Sequence, residues 1–129
     1  MEYGITVRTA APFGEAVERV RDALREQGFG VLTEIDVQAT LRAKLGEEME
    51  DYLILGACNP ALAHRALAAD RQIGMLLPCN VVLRTSGGQT VIEALDPMTM
   101  VAVTGEETLR PIAAEAASRL RAALAAATG

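Results

Sequence analysis

The sequence predicts an α+β protein with a mainly antiparallel sheet, in the order strand, helix, four strands, helix, with short helical insertions between the middle strands. Two observations support this fold class. Several short segments alternate between apolar and polar residues, and only two long stretches, near the two ends of the chain, carry apolar residues at helical spacing. A length of 129 residues, half of them apolar, indicates one domain spanning residues 1–129.

The N-terminal segment predicts a strand followed by a long helix. Ile5 and Val7 alternate with polar residues, which is typical of a strand with one buried face, here over residues 3–9. Pro12 then opens a stretch whose apolar residues recur every three or four positions. Gly28 marks the C-terminal end of this helix.

The next segment predicts a second strand and a short helix. Residues 31–37 alternate, so that Glu34 and Asp36 are expected on the same side of the strand. Asp36 is also a good N-cap for the short helix that follows, and Gly46 is suited to end it.

Residues 52–58 have no polar side, which predicts a strand covered on both faces. Asn59 is a favoured N-cap and Pro60 a favoured first helical residue, so a helix is expected over residues 60–70. Cys58 would then lie at the N-terminus of this helix.

The remaining sequence predicts a hairpin and a final helix. A strand over residues 80–84 and a returning strand over residues 90–96 flank the turn residues Ser86, Gly87 and Gly88. The last helix is expected to begin near Leu109, and its alanine-rich end, residues 122–128, is expected to fray.

Two helices can cover only one face of an antiparallel sheet, which leaves the other face without intramolecular cover. Leu53, Leu55 and Ala57 would form an apolar patch if they faced water. We therefore expect a homodimer, formed through the sheet or through the helical insertions.

Charge and cysteine content limit the partners and the compartment. The chain has 12 basic and 17 acidic residues and a net charge of −5, so nucleic acid and acidic membrane surfaces are poor partners. The first residues, Met1–Ile5, show neither a basic n-region nor an apolar h-region, so no signal peptide is expected, and no run approaches the ~20 apolar residues of a membrane span. Two cysteines in such a chain are expected to be reduced thiols in a cytoplasmic protein.

The two cysteines, Cys58 and Cys79, are the first candidates for chemistry. A helix N-terminus lowers the pKa of a cysteine, and Cys58 precedes a helix. If the strands that carry them are antiparallel neighbours, Cys79 approaches Cys58. The pair is then a redox couple, a soft-metal site, or a nucleophile with a neighbour. The alternative is that both pack as small core residues of a non-catalytic interaction or regulatory module.

Further polar residues extend this candidate site. His64, the only histidine, is a possible base or ligand one turn into the helix after Cys58, although a partly exposed histidine is the simpler reading. Asn59 and Asn80 follow the two cysteines and are candidates to hold a small polar ligand, or to act as caps.

Two further sets of side chains, three carboxylates and three methionines, are also candidates. Glu34, Asp36 and Asp96 would suit a hydrolase only if the three carboxylates converge. The methionines near the later strands would suit copper but are more simply core residues; they are Met75, Met98 and Met100. Phosphate-loop, nucleophile-elbow and C-x-x-C signatures are missing from the sequence, so no enzyme class, cofactor or metal is identified.

Four segments carry a family resemblance: Gly30–Asp36, Ile54–Pro60, Leu76–Val82 and Asp96–Met98. Together they resemble the domain of unknown function 302 family of bacteria and archaea. The resemblance covers essentially the whole chain, and the two Cys-Asn pairs make it specific. It implies a TATA-box-binding-protein-like α+β domain, commonly a homodimer, and no established activity. The family motif positions present here are Glu34, Asp36, Cys58, Asn59, Pro60, Pro78, Cys79, Asn80, Asp96 and Pro97.

Overall fold

The computed structural model describes residues 2–128. Its strands are β1 (Gly4–Thr9), β2 (Gly30–Asp36), β3 (Tyr52–Cys58), β4 (Cys79–Ser86) and β5 (Gln89–Leu95). Its α-helices are α1 (Phe13–Glu26), α2 (Val37–Leu45), α3 (Pro60–Ala69), α4 (Met98–Thr104) and α5 (Arg110–Thr128). Two 3-10 helices, Arg71–Leu76 and Glu107–Leu109, connect them.

The strands form one five-stranded sheet in the order β1-β5-β4-β3-β2. Every neighbouring pair is antiparallel, so the predicted α+β class is confirmed. The spatial order differs from the chain order because β1 pairs with β5, the last strand, and this leaves β1 and β2 at the two edges.

Helices α1 and α5 pack together on one face of the sheet. The buried side of α1 consists of Ala16, Val17, Val20 and Leu24, all at the helical spacing that the sequence indicates. These residues share a hydrophobic cluster with the C-terminal half of α5 and with the inward residues of the strands. The opposite face of the sheet, called the open face below, has no helix of this cluster on it.

The expected apolar patch on the uncovered face was assigned to the wrong residues. Leu53, Leu55 and Ala57 lie in the core cluster with α1 and α5 and are buried. Strand alternation then turns Ile54 to the open face, where the register aligns it with Ile35 on β2 and Val82 on β4. These side chains are half-buried or exposed, so the open face does carry an apolar row.

A second hydrophobic cluster lies beyond the sheet edge and joins α3, α4, the 3-10 helices and the N-terminal half of α5. Helix α4 was not predicted, because its sequence is rich in Thr and Val and has no side-chain N-cap.

The expected fraying of residues 122–128 is wrong: α5 continues to Thr128, and Ala123, Leu124 and Ala127 are buried in the first cluster.

Gly56 of β3 is closely covered by side chains from two neighbouring segments. It is buried although it faces the open side, because Thr33 of β2 and Pro78, just before β4, cover it. An added Cβ would collide with the Thr33 hydroxyl and lie 2.8 Å from Pro78 Cγ. Only glycine therefore fits at this position without displacing the side chains of Thr33 and Pro78.

We expect Gly56→Ala to lower the free energy of unfolding by about 2 kcal/mol or more, as overpacking of a close contact does. Gly14→Ala is the matched control, since nothing lies within 4 Å of its added Cβ. Replacing a glycine within α1 should be neutral or raise stability by about 0.5–1 kcal/mol. Urea unfolding of both variants measures the difference, and equal stabilities would contradict the close contact at Gly56.

Candidate functional site

The antiparallel pairing of β3 and β4 brings the two cysteines together. Ala57 is the register partner of Cys79, so Cys58 is one residue away from that pairing. Both cysteines are free thiols, Cys79 buried and Cys58 partly exposed. Both line the same small cavity at the end of the sheet, which also borders α3 and α5.

That cavity is too small and too apolar to be a binding site for an organic ligand. Its volume is about 30 Å³, whereas pockets for small organic ligands measure about 300–1,000 Å³. Space of this size holds about one or two water molecules. Its other lining side chains are almost all apolar, among them Phe29, Leu62, Leu77, Met100 and Ile112.

Cys79 is held as a neutral thiol. Burial, and secondarily the neighbouring Cys58, raises the pKa of Cys79 from its ordinary 9.0 to about 11. Because the thiolate is the nucleophile and the metal ligand, a thiol with this pKa is unreactive at neutral pH. The environment of Cys79 is thus that of a core residue.

Cys58 lies at the N-terminus of α3, as the sequence predicts. Asn59 is the N-cap: its Oδ1 accepts a hydrogen bond of 3.2 Å from the backbone N–H of Leu62, and Pro60 is in the first turn. Since this hydrogen bond occupies the amide oxygen, Asn59 is accounted for by helix capping.

The other two polar candidates, Asn80 and His64, do not lie beside the thiols. Asn80 is exposed and pairs in register with Gly56, which turns it to the open face, whereas Cys79 faces the core. His64 is exposed on α3 and is not among the residues that line the cavity. The two Cys-Asn pairs therefore do not make one site.

The three carboxylates do not converge, and each already accepts a hydrogen bond. Glu34 accepts a 2.8 Å hydrogen bond from Arg21, and Asp36 caps α2 through Ala39 N–H at 2.9 Å. Asp96 Oδ1 accepts a hydrogen bond of 2.9 Å from the Met98 N–H in the turn that precedes α4. Strands β2 and β5 are separated by β3 and β4, which is about 14 Å across the sheet. A hydrolase site built from these residues is excluded by this distance.

No group of three His, Cys, Asp or Glu side chains that could hold a metal ion occurs within residues 2–128. The three methionines are dispersed. Met75 is 79% exposed, Met98 packs against the second hydrophobic cluster, and Met100 is buried beside the cysteine cavity.

A groove also lies on the open face, and the sequence did not predict it. It has a volume of about 380 Å³, and its lining includes Tyr3, Tyr52, Asn80, Val82 and Glu93. One signal was present in the sequence: both tyrosines of a chain with only four aromatic residues stand at the beginnings of predicted strands.

The fold defines a small α+β protein with an antiparallel sheet backed on one face by two helices. The family model for the domain of unknown function DUF302 matches residues 5–127, and the chain belongs to this family. An uncharacterised conserved DUF302 protein from Bacillus stearothermophilus has a similar crystal structure, with a TM-score of 0.92 and 32% identity over 98% of each chain. No curated protein matches the chain.

Among the described residues, no helix has both the length and the apolar character needed to cross a membrane.

The buried thiol predicts a pH-dependent stability. Cys79 holds its proton more tightly when folded, so above pH 9 the unfolded state binds fewer protons, and stability falls until about pH 11. The complete loss amounts to about 2 to 3 kcal/mol. Urea unfolding across this range should show the loss in the wild type and a smaller loss in Cys79→Ala.

Cys58→Ala is the control for this experiment. Because burial is the larger cause of the raised pKa of Cys79, this variant should keep most of the alkaline loss. An identical pH dependence in the wild type and Cys79→Ala would show that Cys79 does not titrate as described.

Proposed function

We propose that the protein is a non-catalytic interaction module that acts as a homodimer, with both cysteines serving as packing residues. The sealed, apolar surroundings of Cys79 favour this reading over thiol chemistry. Free cysteines suit a reducing compartment such as the cytoplasm. The net charge of −5 disfavours nucleic acid as a partner.

The single observation that carries the dimer is the exposure of α2. Not one of its nine residues is buried, and none belongs to either hydrophobic cluster. A helix of this length is marginal in water unless an apolar face packs against something. Its apolar residues Val37, Leu41 and Leu45 follow each other at one-turn spacing, and Leu45 is 68% exposed.

Strand β2, which leads directly into α2, is equally uncovered. Six of its seven residues are exposed and the seventh is half-buried. Leu32, the extra residue of a bulge, is 67% exposed, and Ile35 is 48% exposed. Because β2 is an edge strand, its outer backbone groups are also available for pairing.

The β2–α2 unit (residues 30–45) thus presents large apolar side chains and an open strand edge in one continuous segment. In a dimer with a two-fold axis, the β2–α2 unit of each copy would pack against the β2–α2 unit of the other. Such dimers are the commonest assembly of soluble proteins. Arg42 is already paired with Glu48 of the same chain at 3.1 Å, but Lys44 is followed by Glu47 and Glu50, so an antiparallel approach also brings opposite charges together.

Leu45→Glu should convert the dimer to a monomer, because it places a charge within the proposed interface. The wild type should have twice the 13.7 kDa mass of one chain in size-exclusion chromatography with light scattering. The variant should have the mass of one chain, with an unchanged circular dichroism spectrum.

Val103→Glu is the matched control, since Val103 is 65% exposed on α4, close to the 68% of Leu45. It should remain dimeric. A monomeric wild type, or a dimer that tolerates Leu45→Glu, would refute the β2–α2 interface.

A further inference from the structure

The groove on the open face has the dimensions of a small-molecule site. Its volume of about 380 Å³ falls within the range of about 300–1,000 Å³ for such pockets. One chain forms it, and its lining includes no residue of the β2–α2 unit. Its existence is thus independent of the proposed dimer.

Two aromatic side chains stand at this groove in a chain that has almost none. Tyr3 and Tyr52 are the only tyrosines, and they account for half of the four aromatic residues in the sequence. Tyr3 is 63% exposed, which is a large aromatic surface for a monomer to leave in water. Tyrosine rings present negative faces that attract organic cations.

The charged side chains that line the groove are negative, as are the faces of the tyrosine rings. Glu2 and Glu93 contribute carboxylates, and among residues 2–128 neither lysine nor arginine lines the groove. Arg84 lies at its margin and donates from Nε to Glu93 Oε1 at 2.8 Å, while Thr6 donates to Oε2 at 3.3 Å. These two bonds fix the Glu93 carboxylate in place beside the cavity, and the ion pair with Arg84 offsets part of its charge, so that Glu2 and the tyrosine rings supply the rest of the negative potential.

The groove also provides apolar contact and an amide. Val82 and Leu95 contribute aliphatic surface, and Asn80 supplies a side-chain oxygen and nitrogen. The side chain of Asn80 is exposed and free to turn. Within the described residues it makes no hydrogen bond, so it is available to a ligand. A ligand with a cationic head, a hydroxyl and a short aliphatic part would match all of these groups.

We propose that the groove binds a small organic cation of the alkylammonium class. The tyrosine rings and the carboxylates of Glu2 and Glu93 receive the cationic head, and Val82 with Leu95 contacts the aliphatic part. Binding is non-covalent, so no bond is made or broken.

Choline and its uncharged isostere 3,3-dimethylbutan-1-ol test this proposal on the intact chain. Choline should give saturable chemical-shift changes at the backbone amides of Asn80, Val82 and Glu93 in NMR titrations. The isostere should bind about 2- to 5-fold more weakly, because it has no positive charge and so lacks the cation–π interaction with the tyrosine rings. Equal affinity of the two compounds, or no saturable change with choline, would overturn the proposal.

Paired variants locate the binding groups. Tyr52→Leu should weaken choline binding by about 2- to 5-fold, while Tyr52→Phe, which keeps the ring, should bind as the wild type does. Glu93→Gln should also weaken binding, and Glu18→Gln, an exposed carboxylate on α1, should not. Wild-type affinity in both Tyr52→Leu and Glu93→Gln would contradict the assignment even if choline binds elsewhere.

Discussion

The close approach of Thr33 and Pro78 over Gly56 is the constraint on which the rest of the structure depends. This contact joins β2, β3 and the entry to β4 at one point. Because a slip of one residue would turn every side chain of a strand to the other face, the contact fixes which residues are inward. Ala57 then pairs with Cys79 in the core, and Asn80 pairs with Gly56 on the open face.

This register separates two environments that the sequence places side by side. Cys79 faces helices α3 and α5, where burial keeps it protonated, and Asn80, the next residue, faces the groove. The thiols therefore lie at the small cavity where residues of both hydrophobic clusters meet, and the groove proposed for ligand binding lies on the open face. The exposed β2–α2 unit lies at the sheet edge farthest from β1, so the proposed dimer interface and the proposed ligand groove lie at different parts of the sheet.

Local sequence patterns were sufficient for most of the fold. The stripe on α1, the Asn59 cap with Pro60 and the hairpin at Gly87 each rest on interactions between residues close in sequence. Helix α4 was missed because its β-branched residues disfavour a helix locally, and only Met100 and Val101 are buried, in the second hydrophobic cluster. Leu53, Leu55 and Ala57 were placed on the wrong face, since strand alternation alone does not say which side the helices cover. The groove depends on Tyr3, Tyr52 and Glu93 meeting across strands, which no local pattern shows.

Alkylation of the native protein with iodoacetamide, resolved for each cysteine by mass spectrometry, tests the central claim that the core seals Cys79. The account predicts that Cys79 reacts only through global unfolding, so that its rate rises with urea as steeply as the unfolding equilibrium does. Cys58, which is partly exposed, should react without urea. Rapid labelling of Cys79 in the folded protein, independent of urea, would contradict the account.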